Sequence, residues 1–164
     1  MILVSACLIG IKCRYDGTHA LCPELVSYLK NRDYLPVCPE QLGGLPTPRP
    51  ATILVGGDGR DVLTLKARLM NEKGQDLTFN FLKGAKKTLE MAQAFKVEMC
   101  LLKEKSPSCG VNLIYTDEGL VAGVGVTTAM LLKNGYRVIG IQPGETKIED
   151  ILHLNQGGKD ELEM

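Results

Sequence analysis

The chain lacks several features that would assign it to common classes of protein. Its 164 residues contain no Trp and only two His, and 19 basic residues balance 19 acidic ones. Balanced charge argues against non-specific nucleic-acid binding, which normally uses a basic excess. No apolar run approaches the roughly 18 residues that span a bilayer, so we expect no membrane helix. The apolar start has no basic segment before it, which predicts a cytoplasmic protein without a signal peptide.

Common cofactor motifs are also missing. The sequence has no C-x-x-C pair, no P-loop lysine and no G-x-G-x-x-G, which argues against a zinc ribbon and against the usual nucleotide sites. Six cysteines are nevertheless present. Cytoplasmic thiols stay reduced, so these residues need a purpose other than disulfide formation.

The length and the hydrophobic pattern predict the fold class. A chain of 17.9 kDa with 45% hydrophobic residues is long enough for one domain with its own core. Apolar runs typical of buried strands alternate with helical spacing. We therefore predict a single Rossmann-like α/β domain, with a mostly parallel sheet and helices on both faces. The strands are predicted at 2–6, 34–38, 97–102 and 136–141, and the helices at 21–30, 78–95, 126–133 and 147–154.

Other segments are predicted to decorate this sheet. Residues 51–65 and 113–121 both have the pattern of a β-hairpin, with turns at GGDGR and TDEG. The proline-rich segment 39–50 is expected to be a rigid loop without helix. We place the α/β domain at 1–142 and a C-terminal helix and tail at 143–164.

Three cysteines occupy equivalent places in this pattern. Cys7 directly follows the first strand, Cys38 ends the second, and Cys109 lies in the loop after the third. Ligands of open α/β sheets bind beyond the carboxyl ends of the strands. We expect these three thiols to meet at one edge of the sheet, provided that the strands are neighbours.

Three converging thiols suit a soft metal, either zinc or an iron–sulfur cluster. Three protein ligands leave one position open, as a catalytic Lewis acid needs. The alternative is that the cysteines are ordinary core residues, which is the interpretation that we favour for Cys22 and Cys100. Cys13 is a possible fourth ligand, a spare thiol or a sulfur acceptor.

Polar residues beside the three cysteines are candidates for catalysis. Glu40 follows Cys38 by two residues and is predicted to act as a general base or to hold a substrate N–H. Ser106 and Ser108 precede Cys109 and are predicted to orient a water or a substrate oxygen. The alternatives are a solvated loop acid and ordinary turn chemistry.

Charged residues near the same edge are candidates for substrate binding. Arg14 and Asp16 belong to the string RYDG, and Arg49 follows PTP. They are predicted to bind a polar heterocycle or an anion, although surface ion pairing explains them equally well. The Gly-rich start of the 126–133 helix is a weaker candidate for an oxyanion site.

Four strings together resemble one known family. SACLIG with RYDG, VCPEQLGGLPTPR, KEKSPSCG and GVGVTTAMLLKNG are similar in content and order to the TudS-like thiouracil desulfidases, over residues 2–141. The resemblance implies a [4Fe–4S] cluster on Cys7, Cys38 and Cys109 with one iron free of protein ligands. It further implies that this iron binds the sulfur of a thiolated base, that water attacks the activated carbon, and that sulfur leaves on the cluster. Glu40 and Ser106 would handle the protons.

The function implied by this resemblance is non-redox removal of sulfur from 2- or 4-thiouracil-like pyrimidines. The partner would be a small thiolated base, with no membrane and no bulk nucleic acid. Cys13 departs from the family pattern, in which an apolar residue is common at this position. A fourth nearby thiol would compete for the open iron. Two alternatives stay open: a non-catalytic zinc or cluster module, and a sulfur-carrier or redox protein that uses Cys7 and Cys13.

Overall fold

The structure, a computed structural model, describes residues 1–151, and most of its elements follow the predicted alternation. The strands are β1 Ile2–Ser5, β2 Tyr34–Val37, β3 Thr52–Val55, β4 Arg68–Asn71, β5 Met99–Lys103, β6 Leu113–Thr116, β7 Gly119–Ala122 and β8 Val138–Ile141. The helices are α1 Pro23–Leu29, α2 Pro39–Leu42, α3 Gly59–Leu63, α4 Thr78–Ala94 and α5 Val126–Lys133.

The first sheet has four parallel strands in the order β2-β1-β5-β8. Its strands are apolar on both faces, as expected where helices cover a parallel sheet on both sides. Val4 packs with Leu25 of α1 on one face. Leu3 packs with Ala92 of α4 and Leu131 of α5 on the other. The predicted α/β architecture, with helices on both faces of a parallel sheet, is confirmed.

A second sheet stands beside the first, with strand order β4-β3-β6-β7. Strand β3 pairs antiparallel with β4 and parallel with β6, and β6 and β7 form the predicted hairpin at 113–121. Helix α4 packs against both sheets. Phe81 lies in the hydrophobic core of the second sheet, and Ala92 lies in that of the first. The two sheets are therefore joined by one long helix.

The hairpin predicted at 51–65 is wrong. Its first half is β3, but its second half is the short helix α3. The cause is a capping box: the carboxylate of Asp58 accepts from Arg60 N at 2.9 Å, and that of Asp61 accepts from Asp58 N at 3.0 Å. This reciprocal bonding satisfies free N–H groups of a first helical turn, so the chain enters a helix at Gly59 instead of turning back.

The segment 39–50 is not free of helix, contrary to the prediction. Pro39 occupies the first position of the single-turn helix α2, where its missing N–H costs nothing. Helix α2 lies directly on α4, because a side-chain carbon at Gly43 or Gly84 would collide with backbone of the facing helix. The Asn80 amide also donates to Gly43 O at 3.0 Å. These contacts fix the position of the residues that follow β2.

The segment after β8 packs on the first core. Residues 148–151 are helical, and Ile148 and Ile151 are buried in the same cluster as Leu25. The rest of the helix predicted at 147–154, and of the tail predicted at 143–164, lies outside the described residues. Within residues 1–151, no helix is long and apolar enough to cross a membrane.

Candidate active site

A cavity of about 580 Å³ opens at the carboxyl edge of the first sheet and reaches the second sheet. Thiols from four separate positions line it: Cys7, Cys13, Cys38 and Cys109. The structure thus brings the three cysteines at predicted strand ends to one place, together with the ambiguous fourth. Cys22 and Cys100 are buried and are not among the residues that line this cavity.

Cys7 is held by a tight turn directly after β1. Residues Ala6–Ile9 form a single 3-10 turn, which ends at Gly10 in the left-handed region with φ of 98°. The N–H groups of Gly10 and Ala20 donate to Cys7 O at 3.2 and 2.9 Å. Two backbone bonds therefore fix the position of Cys7, and the left-handed end of the turn favours Gly.

Cys38 caps the N-terminus of α2. Its thiol donates to Cys13 O at 3.7 Å. Contact with the Cys13 thiol is the main cause that raises the pKa of Cys38, and burial adds to it. For Cys13, the Cys38 thiol lowers the pKa, but contact with Cys7 and burial outweigh this effect and raise it to about 11. Cys7, Cys13 and Cys38 thus form a contiguous thiol cluster.

Cys109 lies in a loop that is organised by Ser106. The Ser106 hydroxyl oxygen accepts from Ser108 N at 3.2 Å and from Cys109 N at 3.0 Å. The Thr128 hydroxyl of α5 donates to Cys109 O at 3.0 Å. This loop therefore has fixed contacts both within itself and to a helix.

The N-terminus of α5 binds that loop rather than a ligand. Val126 N and Thr127 N donate to the carbonyls of Pro107 and Ser108 at 3.0 and 2.9 Å. The oxyanion site considered for this glycine-rich segment is therefore occupied by the protein's own backbone. Gly125 allows this close approach, because a Cβ there would meet the backbone of Ser108.

Two hydroxyl groups face the sulfur of Cys109. The Ser108 hydroxyl donates to Cys109 Sγ at 3.6 Å, and the Ser5 hydroxyl, which accepts from Lys103 N at 2.9 Å, lies on the same side. Burial raises the pKa of Cys109 to about 12, although both hydroxyl groups act to lower it. Hydroxyl donors aimed at a sulfur stabilise it as a thiolate, which is the form that binds metal.

The donor set fits an iron–sulfur cluster. Buried thiols with raised pKa values lose their protons when a soft metal replaces them, and thiolates are the ligands that iron–sulfur clusters use. Within residues 1–151, no three Cys, His, Asp or Glu side chains are placed to hold a single metal ion.

Glu40 lines the cavity from α2 and pairs with Arg49 at 2.9 Å. Both side chains are largely buried, with 16% and 3% of their surfaces exposed. Burial raises the pKa of Glu40, and the Arg49 charge and hydrogen bond partly offset this. Glu40 is thus not a solvated loop acid. Arg49 also donates to Cys13 O at 3.0 Å and to Thr47 Oγ1 at 2.9 Å, which favours a positioning role over substrate contact.

The string RYDG lies at the mouth of the cavity. Arg14 and Tyr15 are among the lining residues. Asp16 is exposed and lies outside the cavity, where its carboxylate accepts from the Thr18 hydroxyl at 2.6 Å. That hydrogen bond, with the Thr18 backbone bond and the Arg14 charge, outweighs burial and lowers the pKa of Asp16. Its contacts shape the turn that presents Arg14 and Tyr15.

The sequence reasoning missed Glu104, which supports the cysteine loop. Its carboxylate accepts from Val111 N at 2.8 Å, from Asn112 N at 2.9 Å and from Asn112 Nδ2 at 2.5 Å. Burial raises the pKa of Glu104, but these bonds and one from Leu113 N outweigh it and lower the pKa. Gly140 leaves the space that this carboxylate fills. The sequence signal, a Glu in KEKSPSCG, does not differ from that of a solvated turn.

Lys103 was missed as well. It is the last residue of β5 and lines the cavity. Its ammonium donates to Glu104 O at 2.8 Å and to Gln142 Oε1 at 2.9 Å. The only sequence signal was its position at the end of a predicted central strand.

Fold and site together define an α/β protein with a thiol-lined cavity at the carboxyl edge of its parallel sheet, the usual place of an active site in this class. The family model for 2-thiouracil desulfurase matches residues 2–142. The chain belongs to this enzyme family, as its sequence motifs had indicated.

Two relatives support this assignment. The uncharacterized protein YbbK of Bacillus subtilis (strain 168) is 43% identical over 155 residues, which cover 93% of this chain and 100% of YbbK. The solved structure of the [4Fe-4S]-dependent thiouracil desulfidase TudS is 36% identical and superposes with a TM-score of 0.77. That match covers 94% of this chain and 97% of TudS.

Proposed function

We propose that this protein is a [4Fe–4S]-dependent desulfidase that removes sulfur from thiouracil-type pyrimidines. The observation that carries the proposal is the meeting of Cys7, Cys38 and Cys109 on one cavity, in a chain of the 2-thiouracil desulfurase family. These three thiolates are the proposed cluster ligands. When bound, the cluster supplies a Lewis-acidic iron that draws electron density from the thiocarbonyl carbon through its sulfur.

The reaction needs no net electron transfer. Water adds its oxygen to the carbon, the carbon–sulfur bond breaks, and the two protons of water end on sulfur as hydrogen sulfide. The products are the oxo pyrimidine and sulfide. The chain therefore has to bind the base, position a water and move protons.

Glu40 is the proposed general base. It lines the cavity, and the bond to Arg49 engages its Oε2 atom. Its other oxygen is then available to accept a proton from the attacking water. Ser106 and Ser108, whose hydroxyl oxygens are 3.1 Å apart, are proposed to orient that water or the substrate oxygen.

Aromatic and cationic residues at the mouth are the proposed substrate contacts. Tyr15 and Tyr115 line the cavity and are 42% and 46% exposed. Their rings offer flat surfaces against which a pyrimidine packs. Arg14 adds hydrogen-bond donors for a carbonyl oxygen of the base. We propose small thiolated bases as substrates, since the cavity of about 580 Å³ also has to hold the cluster.

Anaerobic reconstitution with iron and sulfide tests the proposal. The loaded protein should be brown, contain about four irons per chain and release sulfide from 2- or 4-thiouracil. Replacing Cys7, Cys38 or Cys109 by Ser should abolish iron retention. Cys22→Ser, at a buried thiol outside the cavity, is the matched control. A colourless protein with one zinc, or an intact cluster that releases no sulfide from any thiolated base, would refute the proposal.

The Glu40→Gln variant tests the role of Glu40 as general base independently of cluster binding. We expect sulfide release to fall by about 100-fold or more, in the range of lost general-base catalysis, with iron content unchanged. The Gln side chain keeps a hydrogen bond to Arg49 but cannot accept a proton. Unchanged sulfide release in a fully loaded variant would remove Glu40 from the mechanism.

A further inference from the structure

Lys103 occupies the centre of the catalytic edge. It ends β5, whose neighbours β1 and β8 lead to Cys7 and to Gln142. An ammonium has three N–H donors. Two are engaged by Glu104 O and Gln142 Oε1 at 2.8 and 2.9 Å. The third is left for the cavity that Lys103 lines.

The ammonium and the cysteines share one cavity. Lys103 lines it together with Cys7 and Cys109, and the Lys103 N–H donates to Ser5 Oγ at 2.9 Å, two residues before Cys7. Two other cations near the site are engaged by the protein: Arg49 is bonded to Glu40, and Arg14 reaches Thr18 at 3.3 Å on the exposed turn. Lys105 also lines the cavity, but it lies in the loop after β5 and not at the end of a central strand.

We propose that the Lys103 ammonium stabilises the negative charge that develops on the substrate sulfur as the carbon–sulfur bond breaks. The inference rests on the proposed desulfidase function. The thiocarbonyl sulfur is neutral in the substrate and anionic when it leaves. Lys103 donates a hydrogen bond to that sulfur and stays protonated, while the protons that end on sulfur come from water.

Because the sulfur gains charge only as the bond breaks, the loss of Lys103 should affect kcat and KM differently. A charge-assisted hydrogen bond in an enclosed site is stronger than one to a neutral acceptor. The interaction therefore favours the transition state and the leaving sulfide over the bound substrate. Its loss should lower kcat and leave KM nearly unchanged.

Sulfide binding measures the same interaction without turnover. Reconstituted wild type, Lys103→Gln and Lys103→Arg are titrated anaerobically with sulfide while visible absorption is recorded. We expect Lys103→Gln to bind sulfide about tenfold more weakly, equivalent to about 1.4 kcal/mol, and Lys103→Arg to stay within about twofold of wild type. Lys86→Gln, on the outer face of α4, controls for net charge.

The outcomes separate this inference from the function that it rests on. If loaded Lys103→Gln binds sulfide and turns over like wild type, the inference is overturned and the desulfidase function stands. Should Lys103→Gln lose iron, Gln142→Leu replaces it, because it removes one acceptor that orients the ammonium. Unchanged sulfide affinity there overturns the inference too. A wild type that takes up no cluster would overturn both.

Discussion

Arg49 connects the proposed base to the thiol cluster. Its guanidinium bonds Glu40, Cys13 O, Thr47 and Pro46 O. One side chain therefore holds α2 and the loop of Cys13 in a fixed relation. Its energetic importance follows from burial, since removing one partner of a buried ion pair leaves an uncompensated charge.

Arg49→Met should lower the free energy of unfolding by about 3 kcal/mol or more. Urea unfolding of the metal-free protein measures this loss. Arg68→Met is the matched control: Arg68 pairs with Asp76, but both side chains are well exposed, and such pairs contribute at most about 1 kcal/mol. Equal losses in the two variants would contradict the role given to Arg49.

Glu104 offers a second prediction at the residue scale. Because its pKa is lower in the folded protein than the ordinary value of 4.5, its ionisation stabilises the fold above that value. The stabilisation is lost as the pH falls through the lower, folded pKa. Glu104→Gln should cost about 1–2 kcal/mol at pH 7, and the difference from wild type should shrink below pH 4.5.

Unfolding by urea across this pH range checks the prediction. Glu118→Gln, in the exposed turn between β6 and β7, serves as the control and should track wild type. A Glu104→Gln deficit that is constant from neutral to acidic pH would show that ionisation is not the cause.

At the scale of elements, the packing of α2 on α4 positions Cys38 and Glu40. In most helices, Gly→Ala stabilises by up to about 1 kcal/mol. Gly84→Ala should instead destabilise by about 1–3 kcal/mol, because its new methyl group meets the backbone of Pro39. Iron retention should fall as α2 is displaced. Lys87→Ala, at an exposed position of α4, is the control for helix propensity.

Thermal unfolding and iron content measured on the same samples test this coupling. A stabilised Gly84→Ala protein with a full iron complement would contradict it.

The prediction of helices and strands was wrong where local hydrogen bonds and capping outweighed the hydrophobic pattern. Asp58 and Asp61 sit in a string that reads as a hairpin turn, yet their reciprocal bonds to backbone N–H groups begin α3. Pro39 argued against helix, although the first helical position tolerates proline. The strand ends were predictable because buried parallel strands are continuous apolar runs. That is why the positions of Cys7 and Cys109 relative to their strands could be anticipated.

At the scale of the whole molecule, the chain after β8 belongs to the first core. Ile151 is 1% exposed and packs in the cluster of α1 and β1. Ile151→Ala should reduce the free energy of unfolding by about 2–5 kcal/mol. Ile11→Ala, at a residue that is 45% exposed, should change it little. An Ile151→Ala variant with the wild-type free energy of unfolding would show that this segment does not contribute to the stability of the first core.

The second sheet and the roles of Glu104 and Lys103 lay beyond sequence reasoning. Partner choice among short strands depends on contacts between distant segments, such as the pairing of Leu54 with Thr116. A buried Glu and a solvated Glu also look alike in a sequence, because only the surrounding N–H groups distinguish them. The thiol positions were accessible since topology alone carries strand ends to a common edge.

The anchoring of Cys109 has a consequence for synthesis of the protein on the ribosome. Its loop is held by Thr128 and by the first N–H groups of α5, which are made after Cys7 and Cys38. With the proposed ligand set, a nascent polypeptide that already carries Cys7 and Cys38 lacks the α5 contacts of the third thiol until residues 126–128 have been added. We therefore expect iron to be bound only after α5 has been made.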